Sequence, residues 1–401
     1  MLLKDKLRLM TSRPKPKELP PVDLSPVLGG SRLTNAFGSC HRISTYYRLD
    51  YTHGADQLGS LLTADHRGIT HLLQLEDLHG LDPRRLVFLD TETTGLAGGT
   101  GTYAFLVGLG WLEKDRFVVE QYLMGDYHEE GALLAAIEER LIGAQGIVTF
   151  NGKCFDWPLL QGRFILNGFT PPGEGLHFDL LYPARRLWGA RLTSCSLNSL
   201  ERNLLAVFRV DDLPGSEVPQ RYFDFLRTRQ AHLLRAIVDH NRLDILSLVG
   251  LWNLLAAKGM LSPEECLCAS EAEGLARLSV QKKDWLQAAR FYERSCQLAP
   301  NAHWRRKAAS QLAECYRKGG RWPLAERLWL QLLDEGEDIV ACEQLAKYYE
   351  HRKRDLAAAQ QMAKRGLALA LRCHPRRVGA FEHRLSRIEA KRGRRGQRST
   401  G

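Results

Sequence analysis

The chain predicts an α/β domain, a mixed sheet with flanking helices, followed by an all-α region. Three observations predict it. The apolar runs "RRLVFLD", "YAFLVGLGWLE" and "RFVVEQYLMG", joined by short turns, read as an antiparallel meander starting at residue 86. Strand-like and helix-like segments then alternate to about residue 260. Beyond residue 270 the strand signal vanishes and a helical repeat sets in.

Taken in order, residues 1–35 ("SRPKPKELPPVDLSP" within them) read as a basic, Pro-rich extended arm. Residues 36–80 mix a strand-like "RISTYYRLDY" with a helix-like "ITHLLQLEDLHG" and stay unassigned. The α/β domain spans 81–260. After the meander it holds a helix "EEGALLAAIEERLIG", a fourth strand "GIVTFNG", a helix over about 154–168, a short fifth strand "LHFDLL", and a long helix over about 231–258. The loop "GLAGGTGT" has the glycine density of a phosphate loop, but an apolar strand follows it and no GK[ST] is present, which argues against nucleotide binding. The helical region spans 270–390 and a basic tail 391–401.

Within the helical region "LARLSVQKKDW", "LAECYRKGGRW" and "LAKYYEHRKRD" place Leu275–Ala276, Leu312–Ala313 and Leu345–Ala346 in register, at spacings of 37 and 33 residues. A second helix follows each, carrying Ala288, Ala325 and Ala358. Small residues there let paired helices pack closely. A period near 34 resembles the tetratricopeptide repeat, which implies a protein partner rather than chemistry.

Composition bounds the rest. With 401 residues, 44% hydrophobic and 25% charged, the chain has the profile of a soluble globular protein of two or three domains. No apolar run has the length of a membrane span, and "MLLKDKLRLM" is too charged for a signal peptide, so a cytoplasmic location and no membrane association are expected. The nine cysteines include no CxxC pair, which argues against structural zinc and disulfides. The net charge of +10 is carried by the two ends, which hold +12 over residues 1–20 and 371–401. The body is therefore about −2, and any phosphate binding needs a local groove.

The chemistry begins at "LVFLDTETTGL". Asp90 and Glu92 stand two apart on a strand and share a face, while Thr91 points away. Like charges so placed repel; a cation that binds both, or a polar turn leaving the sheet, resolves the conflict. Further acids favour the cation. "FNGKCFDWPLL" puts Asn151 at a strand end and Asp156 near a helix start, and "DHNRLDILSL" carries Asp239, His240 and Asp244 on the long helix. Asp90, Glu92, Asp156 and Asp244 offer hard oxygen ligands suited to Mg²⁺ or Mn²⁺. Two such ions about 4 Å apart activate water and stabilise a leaving oxygen in phosphodiester hydrolysis.

"FLDTETTGL", "FNGKCFDWPLL" and "HNRLDILSL" resemble the three ordered motifs of the DEDD, or DnaQ-like, exonuclease superfamily with its ribonuclease H-like fold. With "HFDLLYPARRLW", "SLNSLERNLL" and "DDLPGSEVPQRYFDFLR" between the second and third, the chain is most similar to the bacterial YprB-type branch, including its helical-repeat C-terminus. The resemblance covers about residues 80–260. It implies a pair of Mg²⁺ or Mn²⁺ ions held by Asp90, Glu92, Asp156 and Asp244, a nucleic-acid substrate (DNA or RNA), and 3′–5′ exonuclease activity. It also implies a water activated by a Tyr four residues, or a His five residues, before the last Asp. Here His240 stands at the Tyr spacing, so two readings stay open: His240 as general base, or as a support that orients Asp244.

Other residues carry paired readings as well. Asn151 positions substrate or caps the following helix. Arg185, Arg186 and Arg191 hold phosphates or form a solvated helix face. His177 and Asp179 assist the site or serve structure. The alternative to an exonuclease is a scaffold that binds nucleic acid or protein through a nuclease-like fold without cutting.

Overall fold

The computed structural model describes residues 22–75, 78, 80–95, 101–173, 175–210 and 212–399, with side chains described to 393. The arm expected over residues 1–21 and the glycines at 98–99 lie outside the described residues. Two compact units make up the chain. One contains residues up to Ala64 with Leu78–Leu181 and Ser196–Leu254; the other contains Asp65–Asp77, Tyr182–Cys195 and the chain from Leu255 onward.

The first unit is built on seven strands: β1 Ser31–Asn35, β2 Gly38–Arg48, β3 Leu86–Thr93, β4 Ala104–Glu113, β5 Arg116–Leu123, β6 Gly146–Thr149 and β7 Leu176–Asp179. Their order in the sheet is β1-β2-β5-β4-β3-β6-β7. The meander β3-β4-β5 is antiparallel, with the expected short turn between β4 and β5 but a longer connection over residues 94–103 between β3 and β4, and β6 and β7 extend the sheet from β3 in parallel. The sheet is thus mixed. β1 and β2 extend it on the far side of β5, also antiparallel. The arm therefore stops short of residue 35: Ser25–Leu28 is a helical turn and Ser31–Asn35 a strand.

Alternation along β3 assigns its two faces. Val87 and Leu89 join the apolar cluster that contains Leu133 and Ile137 of α1 (Glu130–Leu141), Leu160 and Phe164 of α2 (Asp156–Leu166), and Tyr222 and Phe225 of α3 (Val218–Thr228). On the opposite face Phe88 lies edge-on to Trp252 of the long helix α4 (Arg235–Gly259), with ring centroids 6.3 Å apart. Trp252 also meets Phe178 of β7 at 5.2 Å. Both faces of the sheet are covered, so the central strands are apolar throughout instead of alternating with polar residues.

In the second unit, helices follow one another from α5 (Ala269–Gln281) through α6 (Trp285–Gln297), α7 (Ala302–Lys318), α8 (Trp322–Asp334), α9 (Ile339–Tyr348), α10 (Leu356–Cys373) and α11 (Val378–Ser399). Asp284, Asn301, Asp338 and Asp355 cap α6, α7, α9 and α10 with their side chains. The registered pairs Leu275–Ala276, Leu312–Ala313 and Leu345–Ala346 are all buried, as are Ala288 and Ala325. Glu350, just after α9, has 0% side-chain exposure and accepts hydrogen bonds from Arg384, Arg387 and Lys391 of α11.

The expected boundary near residue 260 does not divide the units. Residues 65–77 and 182–195 belong with the helical unit. Close backbone packing explains this: a Cβ at Gly68 would lie 1.8 Å from the Ala256 carbonyl oxygen, and one at Gly259 would lie 2.0 Å from that of Gly68. Periodicity along the chain cannot report such long-range packing. Among the described residues no helix is long and apolar enough to cross a membrane.

Candidate metal centre

The carboxylates sit at the C-terminal end of β3. A register shift between Glu92 and Thr93 against β4 lets the strand bend there and re-aim its side chains. Asp90 and Glu92 share the parity of Phe88 and face α4; Thr91 shares that of Leu89 and faces α2. Each consequence is visible. Asn241 of α4 donates from Nδ2 to Asp90 Oδ2 at 2.8 Å, while Thr91 Oγ1 donates to Asp156 Oδ1 at 2.5 Å. Asp156 is the first residue of α2, where the positive end of the helix dipole favours a carboxylate.

Helix α4 carries a polar stripe. His240, Asp244 and Ser247 follow at i, i+4 and i+7 on one side, with Asn241 beside them. Asn241 is completely buried, and its Oδ1 accepts from Gln121 Nε2 of β5 at 2.9 Å. A Cβ at Gly108 would stand 2.2 Å from that oxygen, so β4 carries glycine where Asn241 approaches. His240 Nδ1 lies 2.7 Å from Asp212 Oδ1, and its Nε2 lies 3.6 Å from Asp244 Oδ2. Asp239 turns aside and pairs with Arg242 at 2.8 Å.

Arg209 enters between these groups. Its Nη2 donates to both Asp244 Oδ1 and Glu201 Oε1, and its Nη1 lies 3.5 Å from Asp212 Oδ2. Glu201 is completely buried and also accepts from Ser247 Oγ at 2.5 Å, which in turn bonds His53 Nε2 at 2.8 Å. Burial and the Arg209 charge hold the His53 imidazole down at about 4, so it stays neutral.

Electrostatically the four acids form one group. Burial, then the charges of Asp244 and Asp156, push Asp90 and Glu92 well above the usual carboxylate range. Burial raises Asp156 to about 6 against the opposing hydrogen bond from Thr91. Such carboxylates resist ionising together, and a hard divalent ion relieves that resistance, so the donor chemistry fits Mg²⁺ or Mn²⁺. Their oxygens are not drawn together, however. Among the described residues no three His, Cys, Asp or Glu side chains are gathered to coordinate one ion. The reason is local: Asp156 is turned to Thr91 and Asp244 to Arg209.

Other candidate residues take different places. Asn151 adopts a left-handed backbone (φ 65°) and does not cap α2, whose N-cap is Phe155. Its N–H donates to Asp179 at 2.8 Å. Asp179, completely buried, also accepts from the backbone N–H groups of Lys153 and Leu181 and so holds the loop that leads to Asp156. His177 bonds Thr149 Oγ1 at 2.8 Å. Arg185, Arg186 and Arg191 lie in the helical unit, where Arg186 Nη1 donates to the Leu72 carbonyl.

Arg209, Asp212, Glu201 and Asn241 were not anticipated as site residues. The signal for Asn241 and Ser247 lies in their helical spacing from His240 and Asp244. Glu201, followed by two polar residues in "LERNLL", gives no such signal; its burial is seen only in the fold.

This sheet and its carboxylate-bearing strand end define a nuclease-type domain. Residues 87–256 match the RNase_H superfamily, whose nucleases generally use divalent metal ions. The chain is 32% identical over 354 residues to "Uncharacterized protein YprB" of Bacillus subtilis (strain 168), covering 86% of this chain and 84% of that protein; it belongs to the YprB family. Among solved structures, the family B DNA polymerase of Pyrobaculum calidifontis aligns over 51% of this chain and 30% of its own, at 15% identity and a TM-score of 0.34.

Proposed function

We propose that the protein is a divalent-metal-dependent 3′–5′ exonuclease of the DEDD type acting on DNA or RNA, with a tetratricopeptide-like helical unit that recruits a protein partner. The observation that carries this reading is the mutual repulsion of Asp90, Glu92, Asp156 and Asp244, delivered from β3, α2 and α4 to one strand end. Charge is gathered there at a cost to stability, which a purely structural domain has no reason to accept. Bound there, Mg²⁺ or Mn²⁺ would supply Lewis-acid activation of water and charge relief at the phosphate.

The chain's own residues do the rest. The Asp212 carboxylate only accepts hydrogen bonds, so His240 Nδ1 carries the proton it donates at 2.7 Å. That leaves the Nε2 lone pair on the side of Asp244, in place to take a proton from the attacking water. Asn241, fixed by Gln121, holds Asp90 in its orientation. The test is incubation of the full chain with end-labelled DNA and RNA oligonucleotides in Mg²⁺ and in Mn²⁺, beside Asp90→Asn. Stepwise shortening from the 3′ end that the variant lacks is the expected result. No cleavage of any substrate under either metal would replace the enzyme with a binding scaffold.

A further inference from the structure

The guanidinium of Arg209 is hydrogen-bonded to the Asp244 carboxylate. Its side chain is 4% exposed. From behind, Glu201, at 0% side-chain exposure, pins Nη2 and is itself held by Ser247. In front, the same Nη2 donates to Asp244 Oδ1, and Asp244 Oδ2 faces His240 Nε2 at 3.6 Å. The guanidinium thus takes Oδ1 and sets the orientation of both oxygens of Asp244. Withdrawing Arg209 to free them would strand Glu201 as a buried charge without a counter-ion, which is among the costliest changes a protein interior can undergo.

Resting on the metal-dependent reading above, we propose that Arg209 is a resident cation that stands in for the second metal ion. The centre then takes one divalent ion at the Asp90 and Glu92 carboxylates, while Asp244 is held by the protein. The resemblance to exonucleases of the DEDD type implies a pair of ions; the Arg209–Asp244–Glu201 arrangement departs from it. A guanidinium and a divalent ion competing for one carboxylate repel each other, and the guanidinium is already paired and desolvated. Arg209 is thus a positioning residue: it neutralises Asp244 and keeps that carboxylate beside His240.

The experiment counts ions. Chelator-stripped full-length protein is titrated with Mn²⁺, with and without a saturating nucleoside 5′-monophosphate, and free Mn²⁺ is read from its electron paramagnetic resonance signal. One tight ion per chain is expected under both conditions. Arg209→Lys, which keeps the charge, should also bind one. The double variant Arg209→Met with Glu201→Gln removes the buried pair together and releases Asp244, so it should bind two. Two ions in the unaltered protein, or one in a folded double variant, overturns the proposal.

Should the double variant fail to fold, Asp244→Asn decides. Its Mn²⁺ affinity should stay within about threefold of the unaltered protein, while Glu92→Gln loses at least about tenfold. A tenfold loss in Asp244→Asn overturns the single-ion centre. No Mn²⁺ binding by the folded, unaltered protein overturns the metal-dependent reading as well, which separates the two failures.

Discussion

Asp212 Oδ1 lies 2.7 Å from His240 Nδ1, across 28 residues of sequence, while the other ring nitrogen points toward Asp244. A histidine held on one nitrogen by a carboxylate has a fixed tautomer and a fixed ring plane. His240→Gln should therefore lower the single-turnover rate by about 10²- to 10⁴-fold. Asp212→Asn should cost about 10- to 100-fold, because the ring stays but loses its orientation. Mn²⁺ affinity should change little in either. Near-normal turnover in His240→Gln, or a loss repaired merely by more metal, would leave the imidazole as a support for Asp244.

The acids of the centre should weaken the metal-free protein. Asp90, Glu92 and Asp156 have folded-state pKa values raised above their unfolded ones, so the folded chain binds more protons in that interval. In chelator, their penalty is absent below about pH 4 and grows as pH rises through about 6, where Asp156 titrates. Asp90→Asn should then raise the neutral-pH stability of the stripped protein while hydrolysis collapses. Melting temperatures across pH 4–8 check this, and a variant less stable than the parent at pH 7 contradicts it.

Gly108 tests the support behind Asp90. With Asn241 Oδ1 2.2 Å from where its Cβ would stand, Gly108→Ala forces the amide off both Asp90 and Gln121. A stability loss of about 1–3 kcal/mol is expected. The turnover of the molecules still folded should fall further than that loss explains. Unchanged turnover per folded molecule would show that Asn241 does not position the carboxylate.

In the helical unit the sign of the pH effect reverses. Burial opposes ionisation of Glu350, but hydrogen bonds from Arg387 and Lys391 outweigh it and bring its pKa down to about 2 from an ordinary 4.5. This stabilisation is complete above about pH 4.5 and is lost as pH falls toward 2. Glu350→Gln should cost about 2–3 kcal/mol at pH 7 and flatten the acid limb of the unfolding curve. An acid limb of unaltered steepness in the variant would assign the loss to other groups.

Sequence alone disclosed what local pattern encodes. The run from Leu86 to Thr93, the alternation that puts Asp90 and Glu92 on one face, and the four-residue step from His240 to Asp244 all follow from period 2 or period 3.6, and the structure has each of them. Thr91 does point away from that pair, but onto Asp156, because α2 covers the opposite face. Pairing of β2 with β5 joins residues from Arg48↔Arg116 to His41↔Leu123, far apart in the chain, and leaves no local trace, so β1 and β2 read as arm and unassigned segment. Arg209 was invisible for a related reason. Glu201 and Asp212 lie within eight residues of it, but Asp244 is 35 residues away on α4, and only folding shows that the cation among them is the protein's own.

The Glu350 cluster also sets an order in time. A ribosome adding about 5–20 residues per second reaches Lys391 some seconds after Glu350. Until residues 384–391 have been made, the carboxylate around which α11 closes has none of those three partners. Burying it early would cost more than leaving the turn open. Helix α11 is therefore a condition for closing the turn behind α9, and that turn should settle only after α11 has been made, later than its own place in the chain suggests.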